Sequence, residues 1–124
     1  MRKQVNILVV DDRDENLMAV EAVLDDPSYR LVRARSGREA LKEVLDQDFA
    51  LILTDVMMPE MDGYETMRRI REIGAFRMLP IIALTAKAMK GDREKCLQAG
   101  ASDYVAMPVN TEQLLSLVRM WLQP

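Results

Sequence analysis

Val5-Asn6-Ile7-Leu8-Val9-Val10-Asp11-Asp12, set beside Ala50-Leu51-Ile52-Leu53-Thr54-Asp55, decides the fold of this chain. Each stretch is a short apolar run with the length and β-branched content of a strand buried on both faces of a parallel sheet. Each also ends in acid. In open parallel sheets ligands bind in the crevice beyond the carboxyl ends of the strands. If the two strands are neighbours, three carboxylates meet there, and such a cluster repels itself unless a hard divalent cation sits in it. The expectation is an acidic, magnesium-binding pocket with one carboxylate free to react.

Outward from these runs, strand-like segments alternate with helix-period segments five times. The strands are expected at Val5–Val10, Tyr29–Ala34, 50–54, 80–85 and Asp103–Ala106, and the helices at 14–25, 36–47, 63–73, Lys90–Ala99 and 110–122. Ser36 with Glu39 forms a capping box, and Asn110 with Gln113 resembles one. Gly74 and Gly100 fall where C′ glycines are expected. Pro80 opens its strand, where a missing N–H does least harm. Alternation with short connections means a parallel sheet covered by helices on both faces, an α/β doubly wound (βα)5 unit. No linker, repeat or low-complexity stretch interrupts residues 1–124, so one domain is expected.

Size and charge narrow the function. The chain has 124 residues, 49% of them apolar, 30% charged, with a net charge of −3 and scattered Lys and Arg, which offers nucleic acid no basic patch. No apolar run has membrane-spanning length, and the N-terminus leads straight into a strand, so neither membrane insertion nor a signal peptide is expected. Cys96 is the single cysteine, which fits a reducing cytoplasm. Histidine is absent, excluding a Ser-His-Asp triad, a His-ligated zinc site and an internal phosphohistidine. Any histidine in the mechanism comes from a partner.

The stretch from Asp55 through Val56-Met57-Met58-Pro59-Glu60-Met61-Asp62-Gly63 takes an acid off a buried strand into a Pro and Gly loop. Leu84-Thr85-Ala86 ends the fourth strand and Tyr104-Val105-Ala106-Met107-Pro108 closes the fifth. With Asp11-Asp12, this ordered set resembles the receiver domain of two-component response regulators along nearly the whole chain. Ala83-Leu84-Thr85-Ala86 and Gly100-Ala101-Ser102-Asp103-Tyr104 are closest in flavour to receivers of hybrid histidine kinases.

The resemblance implies a CheY-like, flavodoxin-like strand order 2-1-3-4-5 and a role for each matching residue. Asp55 becomes the phosphoacceptor for a partner's phosphohistidine. Asp11, Asp12, Asp55 and the backbone carbonyl of Met57 become ligands of Mg²⁺, which suits an oxygen-lined site bridging carboxylate and phosphate. Thr85 hydrogen-bonds a phosphoryl oxygen and Tyr104 turns inward as a switch. The implied partners are a histidine kinase or histidine phosphotransfer protein as donor and a downstream effector. Self-catalysed gain and loss of the phosphoryl group is the implied chemistry, rather than turnover of a separate substrate. The Met107-Pro108 bond is implied to be cis.

One position breaks the pattern. Where a receiver normally carries lysine, immediately before Pro108, this chain has Met107, of similar length but without charge or donor. Two consequences are expected: at least one carboxylate pKa rises, and the coupling of phosphorylation to movement of Thr85 weakens. A pseudo-receiver, binding partners without phosphorylation, is therefore the alternative. An aspartyl phosphohydrolase usually needs a second acid where Met57 stands, and a flavin phosphate would be repelled by Asp11-Asp12.

Simpler readings compete at several residues. An acid pair after a strand is most often helix N-cap chemistry, Thr85 an ordinary strand end, Tyr104 a half-buried edge aromatic, and Asp62-Gly63 a turn and cap. The ten methionines read as gap fillers and surface residues. On the first helix, Leu17, Val20, Val23 and Leu24 should face the sheet. Met18, Ala19 and Ala22 then form an outward apolar patch beside Asp11-Asp12, where a donor helix could dock. Lys87, Lys90, Arg93 and Lys95 make the fourth helix polar, and it forms the implied output face with the Tyr104 strand.

Overall fold

The computed structural model describes residues 4–85 and 90–122. Ala86 and Lys87 lie outside the described residues, as do positions 1–3 and 123–124. Five strands, β1 (Val5–Val10), β2 (Tyr29–Ala34), β3 (Leu51–Asp55), β4 (Ile81–Thr85) and β5 (Asp103–Ala106), form one sheet ordered β2-β1-β3-β4-β5. All of its ladders are parallel. Between them run α1 (Asp14–Val23), α2 (Gly37–Asp46), α3 (Gly63–Glu72) and α4 (Lys90–Ala99), with α5 (Thr111–Leu122) last. This is the expected doubly wound order.

The period of two along each strand divides the core. Leu8, Val10, Ile52, Ile81 and Ala83 join Ala40, Val44, Met67, Ile70 and Cys96 in the layer under α2, α3 and α4. Ile7, Val9, Leu51, Leu53, Ile82, Leu84 and Val105 join Leu17, Val20, Leu114 and Val118 under α1 and α5. Leu24 is buried and Val23 half-buried beside them, while Met18, Ala19 and Ala22 are exposed, so the two faces of α1 divide as expected.

Several boundaries move. β3 begins at Leu51 and includes Asp55, because the ladder to β4 pairs Asp55 with Leu84. β4 begins at Ile81, leaving Pro80 just outside, where its carbonyl still accepts from the Ile52 N–H at 3.0 Å. Helix ends are shorter by one to two residues, as fraying and caps dictate. Ser36 caps α2 by accepting the Glu39 N–H, but the Glu39 carboxylate takes the N–H of Arg35, not that of Ser36. Asn110 caps α5 through the Gln113 N–H at 3.0 Å.

Gly74 occupies the C′ position after the Ile73 C-cap, but without left-handed backbone. It opens a one-turn 3₁₀ helix (Gly74–Phe76), and only Gly100 among the described glycines has positive φ, at 118°. The Arg71 side chain binds the far end of the sheet together. Its guanidinium donates to the carbonyls of Phe76, Leu79 and Gly100, and so ties α3 to the segments that lead into β4 and β5.

Candidate functional site

The sheet order reverses between β1 and β3, which start opposite chain excursions, and their carboxyl ends form the crevice that such folds offer a ligand. Asp11 follows β1, its N–H still donating to the Ala34 carbonyl at 3.0 Å. Asp55 is the last residue of β3, and the ladder runs on through the Val56 N–H to the Leu84 carbonyl at 3.1 Å. Both backbones are thus held by neighbouring strands. One carboxylate oxygen from each of Asp11, Asp12 and Asp55 lies within 4.8 Å of the others. Asp11 is 1% and Asp55 8% exposed, whereas Asp12 faces solvent.

Neither acid of the Asp11-Asp12 pair caps α1. The N-cap position is Arg13, with no side-chain cap, and its backbone N–H donates to Asp11 Oδ1 at 3.0 Å. Asp11 Oδ2 is buried without a hydrogen-bond partner among the described residues. A buried, unpartnered oxygen facing two more carboxylates is costly by itself. Hard oxygen donors converging in this way fit a cation of the magnesium or calcium class.

Electrostatics records the crowding. Burial, then the Asp11 charge, pushes Asp55 up to about 6, against the lowering effect of the Met57 N–H, which donates to Asp55 Oδ1 at 3.3 Å. Burial likewise raises Asp11, against the lowering effect of the Arg13 backbone N–H and the Asn16 side chain, and Asp12 adds to the rise. At both acids burial is the largest cause, and Met107 is not among the causes.

The loop after Asp55 is shaped by close approach. Asp62 caps α3 through the Glu65 N–H at 2.9 Å, and Gly63 donates to the Val56 carbonyl at 3.1 Å. A Cβ on Gly63 would sit 2.2 Å from the Asp55 carbonyl oxygen and 2.6 Å from Val56 Cα. Glycine is required for α3 to start against the strand that bears Asp55. Asp62-Gly63 is cap and turn chemistry, as expected, and Glu60 takes the one positive φ among described non-glycine residues, 63°.

The cleft beside Asp55 has a volume of about 450 Å³. Arg13, Asn16 and Ala19 form one part of its wall, Met57 another, and Met107, Pro108 and Val109 a third. The Met107 N–H donates to the Thr85 carbonyl at 2.7 Å, extending the β5 ladder. Its half-buried side chain packs against the core layer of α1 and α5. The Met107-Pro108 bond is cis. Thr85, buried, ends β4 opposite Ala106. Tyr104 lies farther back on β5, half-buried against the layer of α4, with the Arg93 guanidinium 5.8 Å from its ring centroid.

The sheet thus gathers Asp11, Asp12 and Asp55 tightly, sets Thr85 and Met107 at adjoining strand ends, and keeps Tyr104 outside the cleft wall. Arg13 and Asn16 were not foreseen in that wall. Their signal was positional: Arg13 follows the acid pair directly, and Asn16 is one helical turn on. Exposed Met18 (62%) and Met57 (57%) give the surroundings of the cleft an apolar character.

Comparison with known proteins agrees with this architecture. The model of the response regulator receiver domain family matches residues 7–119, and the chain belongs to that family. It is 39% identical over 114 residues to the signal transduction histidine-protein kinase BarA of Shigella flexneri, covering 92% of this chain but 12% of BarA. It is 31% identical to the polar-differentiation response regulator DivK of Brucella ovis, over 94% of this chain and 95% of DivK. Among solved structures, the receiver domain of a sensor histidine kinase from Pseudomonas aeruginosa superposes with a TM-score of 0.88 at 39% identity. That match covers 96% of this chain and 98% of the other, which is described with a magnesium ion coordinated in its active site cleft. No described helix is long and apolar enough to cross a membrane.

Proposed function

We propose that the chain accepts a phosphoryl group from a partner's phosphohistidine onto Asp55, in a Mg²⁺-dependent step of a two-component relay. The observation that carries this reading is the cluster of three carboxylates with one buried oxygen left unpartnered at Asp11. Asp11, Asp12, Asp55 and the Met57 carbonyl would hold the ion. When bound, Mg²⁺ supplies charge that screens an anionic nucleophile from an anionic phosphoryl group.

The chain's own residues do the positioning. Asp55 is fixed at the end of β3, and the Met57 N–H holds Oδ1, leaving Oδ2 to attack phosphorus. The P–N bond to the donor imidazole breaks as the P–O bond forms, and the imidazole keeps the electron pair and takes up a proton. Thr85 is assigned a hydrogen bond to a phosphoryl oxygen, and Tyr104 the readout of its movement. The exposed α1 patch of Met18, Ala19 and Ala22, next to the cleft, suits a docking helix of the donor. The face of α4 and β5 suits the effector, and the cytoplasm is the compartment where such partners meet.

Met107 stands where receivers usually carry lysine, and we read it as weakening the switch rather than abolishing acceptance. The competing reading, a receiver that binds partners without phosphorylation, rests on this residue. Incubation with acetyl phosphate and Mg²⁺, followed by intact mass, separates the two. A gain of one phosphoryl group that Asp55→Asn abolishes is expected. An unmodified chain, with no beryllofluoride-induced NMR shifts near Thr85 and Tyr104, would overturn the phosphoacceptor reading.

A further inference from the structure

We infer that Arg13 provides the positive charge that pairs with a phosphoryl group on Asp55, the part for which Met107 has no chemistry. The inference rests on the phosphoacceptor reading and adds to it a second, in-chain phosphoryl contact.

The need for charge comes first. Asp11, Asp12 and an aspartyl phosphate together carry about four negative charges, and one divalent ion neutralises two of them. Met107, Pro108 and Val109 supply none of the remainder from their side of the cleft. Among the described residues, Arg13 is the one basic residue in the wall.

Its placement is built and its charge is available. The Arg13 N–H is tied to Asp11 Oδ1 at 3.0 Å, so its Cα is fixed beside the carboxylate cluster, with extended backbone at φ −108° and ψ 123°. The side chain is exposed, and no carboxylate among the described residues lies within 4.0 Å of its guanidinium. Asp14, the next acid in the chain, is already paired with Arg35. A planar guanidinium offers two parallel donors to phosphoryl oxygens, which suits it to this contact.

The test compares the chain with Arg13→Gln, Arg13→Lys, Met107→Lys and the Arg13→Gln/Met107→Lys double variant. Each is labelled with acetyl phosphate in Mg²⁺: the Asp55 oxygen bonds to phosphorus as the bond from phosphorus to the acetyl oxygen breaks, releasing acetate. Rate of labelling, lifetime of the aspartyl phosphate and thermal unfolding are followed. Arg13→Gln should slow labelling roughly tenfold, as loss of one charge-assisted hydrogen bond predicts, at unchanged unfolding temperature. Arg13→Lys should retain most of the rate, and Met107→Lys should restore it in the Arg13→Gln background. Labelling of Arg13→Gln within twofold of the unaltered chain overturns the inference and leaves the phosphoacceptor reading standing. So does a loss that neither lysine repairs. An unaltered chain that takes no label overturns both.

Discussion

Asp55 is held where its charge is least welcome. Its carboxyl sits near 6 in the folded chain, against 3.8 when unperturbed, because burial and the Asp11 charge oppose ionisation. Between those pH values the folded chain holds more protons than the unfolded one. Stability without metal therefore falls as pH rises through the window, and the whole cost is present above about 6. Asp55→Asn should reduce that slope, leaving the part that the buried Asp11 contributes. At pH 7.5 without divalent ions, it should raise the unfolding temperature by roughly 3–6 °C, for about 1 kcal/mol of relieved repulsion. Calorimetry from pH 4 to 8 checks it; a variant with an unchanged slope would place the repulsion elsewhere.

At the scale of elements, the join between β3 and α3 is the tightest in the site. Gly63→Ala would drive a methyl group into the Asp55 carbonyl and Val56 Cα, both backbone atoms that cannot yield as a side-chain tip would. The expected cost is about 1–3 kcal/mol, read as a lower urea midpoint at unchanged m value. Labelling of Asp55 should fall with it, since the Met57 N–H that orients Oδ1 belongs to the same loop.

This join also shows what the sequence made legible. The acid-ended runs announce strands because β-branched, uninterrupted apolar residues suit a doubly covered sheet, and Asp62-Gly63 announces a cap. The positions of Asp11, Asp12 and Asp55 follow once β1 and β3 are neighbours. Gly74 marks the helix end at C′, yet the backbone there does not turn left-handed, because the helix ends in extended backbone at Ile73. Arg13 and Asn16 stayed hidden because a cleft wall is assembled from three separate loops and a helix start, with no period to betray it.

For the molecule as a whole, a cation held by the acidic cluster would link its binding to folding. A ligand bound only by the folded chain stabilises it by about 1.4 kcal/mol at ten times its dissociation constant. Titrating Mg²⁺ at pH 7.5 should therefore raise the unfolding temperature by an increment that keeps growing with the logarithm of concentration above the dissociation constant. Asp11→Asn should weaken that response, because it alters a carboxylate whose buried Oδ2 has no hydrogen-bond partner among the described residues. An equal response in both chains would remove Asp11 from the ion's coordination.

The Arg71 guanidinium lies at the opposite end of the sheet from these acids, and its partners are carbonyls and the Ser102 hydroxyl, not carboxylates. Carbonyls do not titrate, so this joint is blind to pH across the range in which Asp55 changes charge. The sheet consequently has one rim whose charge follows pH and another joined by groups that do not titrate in that range. A change of charge among the acids therefore has no titrating counterpart at this joint, and the bonds that hold α3 to the segments before β4 and β5 are the same on both sides of pH 6.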